Sequence, residues 1–479
     1  MRVMVRPTTA VTVVYVAAIF LSTMDTTIVN VALPAIGDAF SIPSTSVDSI
    51  TISFLVSLAV FIPASGWLAD RFGGKRVLMT AIAVFTAASA LCGSASSLGE
   101  LVAYRILQGL GGGMLAPVGM AMVLRSFAPA ERVRALSMIT IATAVAPTLG
   151  PTLGGLLVTN LSWRWVFFVN LPVGVCALVF GLLFVRDLGE RRAERFDAAG
   201  FVLSAAGLAL LVFGISEGPD QGWDAVPVLV GMVAGAALLA AMVVVELRRR
   251  APMIDVRLFR DRCFRSSTAV MTSVSVAFLG AVYTVSLLLQ DGRDLSPLVT
   301  GLTILPQAVG VMLGSQLASR VLYPRFGPRA VMTGGVAGTS LFVALLATVG
   351  SGTSLWGVGL LLHCMGFCVG LVFVSTQAAA FATIPQASSS RASTIFNVGR
   401  RLGGALGIAA ETTAMVLAGA GGPVAGGGAG TRPYQVAFLV VAVINLLALW
   451  PALAVRNADA ATTMPPLPQR SAKPAAGKG

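Results

Sequence analysis

The sequence predicts an all-α polytopic membrane protein, and three observations carry this prediction. The chain of 479 residues is 56% hydrophobic and only 11% charged, whereas soluble domains carry about 25% charged residues. Its apolar residues form runs of about 20 or more, long enough to cross about 30 Å of hydrocarbon as helices. Its basic residues fall almost entirely between alternate runs. A soluble enzyme, a disordered regulator and a single-anchor receptor are therefore excluded.

Fourteen apolar segments are predicted as transmembrane helices. In chain order they are 10–33, 47–69, 77–97, 101–124, 135–159, 165–185, 197–216, 226–247, 266–290, 298–319, 330–350, 355–381, 392–418 and 434–455. Of the 33 Arg and Lys residues, 27 lie on the side of the two termini, three lie opposite and three lie inside spans. Because basic residues collect in cytoplasmic loops, both termini are predicted to be cytoplasmic. The net charge of +13 is thus an orientation signal, and we expect no nucleic-acid binding.

The spans divide into three predicted units. Residues 1–196 hold an N-terminal six-helix bundle, 197–250 two additional helices, and 251–456 a C-terminal six-helix bundle. The tail 457–479 is expected to be disordered and cytoplasmic, and the Gly- and Ala-rich segment 419–433 a flexible external loop. No phosphate-binding G-x-x-x-x-G-K-[ST] loop occurs, so ATP does not drive the protein directly. Five cysteines without a C-x-x-C pair and one histidine predict no disulfide framework, metal or cofactor.

A short loop sequence occurs twice at corresponding places. Residues 66–76 read GWLADRFGGKR between the second and third spans, and a weaker copy at 315–329 follows the tenth. Repeated halves are typical of alternating-access transporters. Topology alone can also produce such a basic loop, but the echo favours an internal repeat.

The motifs make the chain similar to the major facilitator superfamily, and specifically to its fourteen-spanner drug:proton antiporter family. The matching segments are 24–34 in the first span, 66–76, 105–113 in the fourth, 150–155 in the fifth, 163–172 before the sixth and 397–404 in the thirteenth. The resemblance implies two six-helix bundles plus two extra helices, rocking around a central cavity. It also implies export of drugs or antibiotics, with the 150–155 motif being typical of antiporters.

Two groups of residues are predicted to act in conformational gating. The first group, in the loop motif, is Gly66, Asp70, Arg71, Gly73 and Arg76. The second group, in the fifth span, is Gly150, Pro151, Gly154 and Gly155. Glycines four residues apart leave a flat strip for another helix, and the proline bends its own helix. We interpret the strip as a hinge and seal between the two halves, with a simple packing kink as the alternative.

Asp25 and Glu411 are the acidic residues well inside predicted spans. A carboxylate at membrane depth is costly and normally faces a cavity or a partner. Asp25 is predicted to be a protonatable group of the central cavity, followed by a polar stripe that includes Asn30. The alternative is a structural cap near Pro34. Glu411 is predicted to bind a proton or a cationic substrate, or else to bond a neighbouring helix.

Arg105 and Gln108 complete the predicted site. In the family that the chain resembles, an arginine of this motif is associated with proton transfer, and a fixed cation perturbs nearby carboxylates. Snorkelling of Arg105 to the external surface is the competing interpretation. Gln108 orients water molecules or makes an interhelical hydrogen bond. His363, the single histidine, is interpreted as packing or interhelical bonding rather than as a proton carrier.

The leading hypothesis is a monomeric, non-enzymatic antiporter in the bacterial cytoplasmic membrane, exporting a small organic compound against entering protons. A proton symporter importing a nutrient is the alternative, which the fifth-span motif disfavours. A membrane-embedded enzyme would need a polar catalytic cluster, for which two deep carboxylates and one histidine leave little material. A sensor or assembly partner has no soluble domain to support it.

Overall fold

A computed structural model describes residues 6–41, 47, 49–187, 196–249, 252–350, 352–419 and 431–464, and within these ranges the chain is helical, with no strand. The helices of membrane length are α1 (Pro7–Phe40), α2 (Ser49–Phe72), α3 (Gly74–Ser94), α4 (Leu98–Ser126), α5 (Pro129–Asn160), α6 (Trp165–Phe184), α7 (Ala198–Gln221), α8 (Val226–Arg248), α9 (Arg262–Gln290), α10 (Pro297–Leu317), α11 (Tyr323–Leu346), α12 (Leu355–Ala380), α13 (Ser389–Leu417) and α14 (Arg432–Ala454). Each coincides with one predicted span.

In the described part of the chain, eleven continuous helical stretches are long and apolar enough to cross a membrane, or twelve if the bent helix α5 is one span. Two differences from the predicted fourteen have simple causes. The stretch Leu298–Leu346 is 49 residues long, or roughly 74 Å as a helix, more than twice the thickness of a bilayer core. Helical backbone continues from Leu317 through a π-helical turn at Ala318–Leu322, and the chain then turns at Gly327, where φ is +77°, four residues inside α11. The stretch therefore contains two spans, α10 and α11. Helix α13 falls short because Arg400, Arg401 and Glu411 lower its hydropathy.

Short polar side chains fix where several helices begin. At each of these positions a hydroxyl or carboxylate accepts a hydrogen bond from a backbone N–H of the first turn, which would otherwise lack a partner. These capping residues are Ser97 of α4, Asp197 of α7, Asp261 of α9, Ser296 of α10 and Ser354 of α12. Polar loop residues therefore mark the ends of the apolar runs.

The helices contact one another in two groups. Helices α1–α6 pack together, as do α9–α14, and the two groups meet where α5 contacts α10 and α12 and where α13 contacts α2 and α4. Helices α7 and α8 form a pair, of which α7 packs against both α2 and α13. The pair therefore lies along the junction of the two groups. We call the end of the bundle with the 66–76 loop the basic end.

The beginning of the tail differs from its prediction as disordered. Residues Asn457–Thr463 form a 3₁₀ helix. The Asn457 amide donates to the Phe326 carbonyl at 3.0 Å, and the hydroxyls of Tyr323 and Thr463 lie 2.7 Å apart. Composition alone failed here because a few polar contacts hold this Ala-rich segment against α11. Residues 465–479, and 420–430 of the predicted external loop, lie outside the described part.

Candidate functional site

Asp25 lies in the interior of the first six helices and is fully buried. Its Oδ2 accepts a hydrogen bond from Arg105 Nη1 at 2.6 Å, so α1 and α4 are joined by a buried ion pair. Two amides complete its environment: Gln108 Nε2 donates to Oδ1 at 2.9 Å and Asn170 Nδ2 donates to the same oxygen at 3.0 Å. These bonds tie α1 to α4 and α6 and do not cap the chain near Pro34.

Arg105 is held on every side. It is 1% exposed, its Nε donates to the Ile50 carbonyl at 3.3 Å, and its guanidinium lies 4.1 Å from the centre of the Phe54 ring. Its Nη1 also donates to Gln108 Oε1 at 2.8 Å. The snorkelling interpretation is therefore wrong, because the side chain turns inward. Gln108 bonds directly to both Arg105 and Asp25. Its bond to Asp25 is an interhelical hydrogen bond, which was one of the two interpretations of Gln108 from the sequence.

Sequence reasoning missed two members of this cluster. Asn170 is fully buried, and it also donates to Ser89 Oγ at 3.1 Å, whose hydroxyl donates to the Phe167 carbonyl. A single amide inside the apolar sixth span, 165–185, was the available signal for Asn170. Ser89 carried no signal, since serine is common in transmembrane helices.

The other residues predicted for the cavity are not brought to Asp25. Asn30 is exposed, and its Oδ1 accepts from Thr51 Oγ1 at 3.2 Å. Glu411 is fully buried in the second group of helices, where Thr284 Oγ1 of α9 donates to its Oε2 at 2.5 Å. Its Oε1 has no hydrogen-bond partner among the described residues. The structure thus separates two carboxylate sites, one in each group.

A cavity lies between the two groups of helices and is lined by side chains other than the predicted ones. Its lining residues are Tyr15 and Ile19 of α1, Met120 of α4, Ile139, Thr140 and Thr143 of α5, Phe373 and Gln377 of α12, and Phe396, Asn397 and Arg400 of α13. Aromatic and aliphatic surface alternates with amides and hydroxyls. Such a mixed lining suits small organic molecules. Its volume of about 10 Å³ holds roughly one water molecule, so the two groups of helices must move apart before such a molecule can enter.

The loop motif forms a hydrogen-bonded bridge at the basic end. Asp70 Oδ1 accepts from Arg125 Nη2 at 2.7 Å and from Ser390 Oγ at 2.9 Å, and Arg125 Nη2 also donates to that hydroxyl at 2.9 Å. Asp70 and Arg125 belong to α2 and α4, whereas Ser390 belongs to α13. The three residues therefore tie the two groups of helices together.

The glycines of this motif have separate roles. A Cβ on Gly66 would lie 3.1 Å from Thr394 Oγ1, so Gly66 allows α2 to approach α13. Gly73 has φ +92°, a conformation that favours glycine, and it makes the turn into α3. Arg71 and Arg76 are exposed at the same end.

The predicted strip of the fifth span packs against α1. A Cβ on Gly150 would overlap Thr27 Oγ1, and one on Gly154 would lie 3.0 Å from the Ile28 carbonyl oxygen. The two pieces of α5, Glu131–Pro147 and Thr152–Asn160, are bent by 42° relative to each other. Gly155 is half-buried, and the side chain of Pro151 lies outside the described part of the chain. The strip therefore joins α5 to the helix that carries Asp25.

His363 makes an interhelical contact, as interpreted from the sequence. Its Nδ1 lies 3.0 Å from the Pro306 carbonyl oxygen of α10.

Comparison with known proteins identifies the family. The sequence profile described as "Major Facilitator Superfamily" matches residues 15–408. The chain is 34% identical over 403 residues to the "Multidrug resistance protein B homolog" of Mycobacterium tuberculosis, covering 83% of this chain and 74% of that one. It is 31% identical over 398 residues to the "Putative multidrug resistance protein MdtD" of Serratia proteamaculans, covering 81% of each.

Solved structures share the fold at low sequence identity. The human organic anion transporter MFSD10 superimposes with a TM-score of 0.66 at 17% identity, covering 94% of this chain and 100% of that one. The proton:xylose symporter XylE superimposes with a TM-score of 0.63 at 14% identity, covering 92% and 94%. Profile, relatives and architecture agree that this multi-pass membrane protein belongs to the major facilitator superfamily.

Proposed function

We propose that the chain is a proton-coupled antiporter that exports drugs or other small organic compounds. The relatives named as multidrug resistance proteins support the efflux of drugs. The observation that carries proton coupling is the buried pair of Asp25 and Arg105, since a carboxylate at this depth is a functional candidate. The energy source is the proton gradient, and no cofactor is required.

In the coupling step, protonation of Asp25 breaks its ion pair with Arg105. When Asp25 binds a proton, its attraction to Arg105 is lost, and the bonds that join α1 to α4 and α6 weaken. Helix α1 also lines the cavity with Tyr15 and Ile19. A shift of α1 therefore changes the shape of the substrate site. Glu411 is a second candidate for proton binding, because one of its buried oxygens has no described partner.

Alternating access follows from the contacts between the two groups of helices. The bridge of Asp70, Arg125 and Ser390 closes the basic end, and its opening exposes the cavity at that end. We place the basic end in the cytoplasm of a bacterial cell, with both termini on that side. The two groups and the α7–α8 pair are contained in one chain, so a monomer suffices.

The test is transport by the purified protein in vesicles carrying an imposed pH gradient. A panel of cationic, neutral and anionic drugs is offered, and uptake is followed by radiolabel. At least one compound is expected to move opposite to the protons, and Asp25→Asn is expected to reduce that movement at least tenfold.

The matched control is Asp38→Asn, which removes an exposed carboxylate from the same helix. It is expected to transport like the wild type. Transport that ignores the gradient for every compound, or that survives Asp25→Asn unchanged, would contradict the proposed function.

A further inference from the structure

Two adjacent arginines lie at membrane depth in α13. Arg400 is eleven residues beyond the start of the helix at Ser389, which corresponds to about 17 Å along its axis. Helix α13 is 29 residues long, so Arg400 and Arg401 lie within about three residues of its midpoint, and a helix centred on a bilayer core of about 30 Å places them near the middle of the membrane. Charged residues at such positions are expensive and mark sites of function.

Neither arginine has an acidic partner in the part of the chain that the structure describes. Arg400 Nη2 donates to Asn397 Oδ1 at 3.4 Å, and Arg401 Nη2 donates to Ser22 Oγ at 3.3 Å. Both acceptors are neutral and both distances are long. Arg105, the other arginine at membrane depth, instead has a carboxylate oxygen at 2.6 Å. Among the described helices, Arg105 is therefore paired with a carboxylate, whereas the positive charges of Arg400 and Arg401 have no acidic partner.

The uncompensated charge faces the cavity between the two groups of helices. Arg400 lines this cavity beside Asn397, opposite Tyr15 and Thr140. Gln377 adds a further amide, while Phe373 and Phe396 provide aromatic surface. The lining includes one cation and no carboxylate. A cationic guest would be repelled here, whereas an anionic guest would supply the missing counter-charge.

We propose that Arg400, supported by Arg401, binds the anionic group of an amphipathic organic substrate. A guanidinium matches a carboxylate, sulfonate or phosphate with two parallel hydrogen bonds, which are stronger in a site of low polarity. Once the pocket has opened to admit the molecule, the aromatic rings of Phe373 and Phe396 in its lining pack against the apolar body of the same molecule. This inference names a substrate class for the cavity and rests on the proposed function only in treating that cavity as the substrate site.

Binding measurements separate charge from shape. Wild-type protein in phosphatidylcholine nanodiscs is titrated with radiolabelled benzoate, 2-naphthoate and anthracene-2-carboxylate, and with the uncharged amide of each. Empty nanodiscs correct for partition into lipid. At least one acid is expected to bind at least tenfold more tightly than its amide. Arg400→Gln is expected to remove this preference by weakening the acid alone, and Arg400→Lys to keep part of it.

The amide serves as an internal test of folding, because its binding should be unchanged in Arg400→Gln. Arg260→Gln, which removes an exposed arginine before α9, is the matched control and should retain the full preference. Equal binding of acids and amides by the wild type would overturn the inference, as would an acid preference that survives Arg400→Gln.

Two further outcomes distinguish substrate binding from lipid binding, and this inference from the proposed function. If phosphatidylglycerol in the nanodiscs abolishes binding of the acids, the arginines hold a lipid headgroup, and the substrate assignment is overturned. If the acids bind as expected but no compound is driven by a pH gradient, the proposed function fails while the anion site stands.

Discussion

Asp25 and Arg105 are a buried ion pair whose removal from water is offset by dense hydrogen bonding. Gln108 bonds both partners, and Asn170 bonds the carboxylate. Because the attraction within a buried pair roughly balances the cost of desolvation, the pair as a whole adds little stability. Loss of a single partner, however, leaves one charge buried without compensation. Coupling and stability can therefore be separated by changing the residues singly and together.

We expect Arg105→Gln to destabilise the protein by about 3–5 kcal/mol, because Asp25 is left unpaired. The double variant Asp25→Asn/Arg105→Gln removes both charges and is expected to recover most of this loss, while proton-driven transport stays absent. Denaturant unfolding in mixed micelles measures the first effect and vesicle transport the second. A double variant no more stable than Arg105→Gln would show that hydrogen-bond geometry, and not charge, dominates the site.

Individual site residues could be predicted where a polar or charged side chain stands within an apolar span. Asp25, Arg105 and Gln108 stand out because they are polar within apolar spans, and the structure brings these three together. The separation of Glu411 from them was not predictable, since a single sequence does not show which helices face each other. Ser89 shows a second limit, because a serine gives no sign of the partner that it bonds.

Helix α4 shows how small residues decide the packing of whole elements. Gly111 and Gly113 of α4 lie in contact with the backbones of α3 and α2. A Cβ on Gly111 would lie 2.8 Å from the Ala81 carbonyl oxygen of α3, and one on Gly113 would lie 2.6 Å from the Leu58 carbonyl oxygen of α2. Backbone atoms within a helix cannot move aside as a flexible side chain does. The two glycines therefore fix the distance of α4 from both neighbours.

Gly113→Ala is expected to destabilise the protein by about 1–3 kcal/mol, because the new methyl group meets the α2 backbone. The measurement is the midpoint of thermal unfolding in detergent. Gly99→Ala is the matched control in the same helix, since a Cβ there meets nothing within 4 Å, and it should not lower the midpoint. Equal midpoints for both variants would mean that α4 is free to shift.

Element ends were predicted less well than element cores, for physical reasons visible in α1 and α9. Helix α1 was predicted to end at residue 33 but continues to Phe40 through Pro34, since a proline removes only one helical hydrogen bond. Helix α9 begins at Arg262, four residues before its predicted start, because Asp261 caps it beyond the apolar run. Hydropathy detects the apolar part of a helix, whereas caps decide its length.

At the scale of the molecule, the repeated loop marks equivalent turns in the two halves. Gly73 has φ +92° and Gly327 has φ +77°, so both copies turn on a glycine of positive φ. A short polar side chain covers each turn, Asp187 over Gly73 and Asn457 over Gly327. The acidic member is not repeated: Asp70 in the first copy corresponds to Ser319 in the second. The ion pair of the bridge thus lies within the first half, and Ser390 of the second half bonds to it.

The contribution of this bridge to closure of the basic end can be tested by changing the residue on each side of it. Ser390→Ala removes the two hydrogen bonds by which this bridge joins the halves but keeps the ion pair of Asp70 and Arg125, whereas Asp70→Asn weakens both. A hydrogen bond to a charged group contributes about 1.5–3 kcal/mol. Opening at the basic end is therefore expected to become roughly 10- to 100-fold more frequent in either variant.

Hydrogen exchange followed by mass spectrometry measures this opening in peptides from the end of α2 and the start of α13. Both peptides are expected to exchange faster in both variants. Glu131→Gln, which removes an exposed carboxylate at the same end, should exchange like the wild type. Faster exchange in Asp70→Asn alone would confine the role of the motif to the first half. The other contacts between the two groups of helices would then hold the basic end closed.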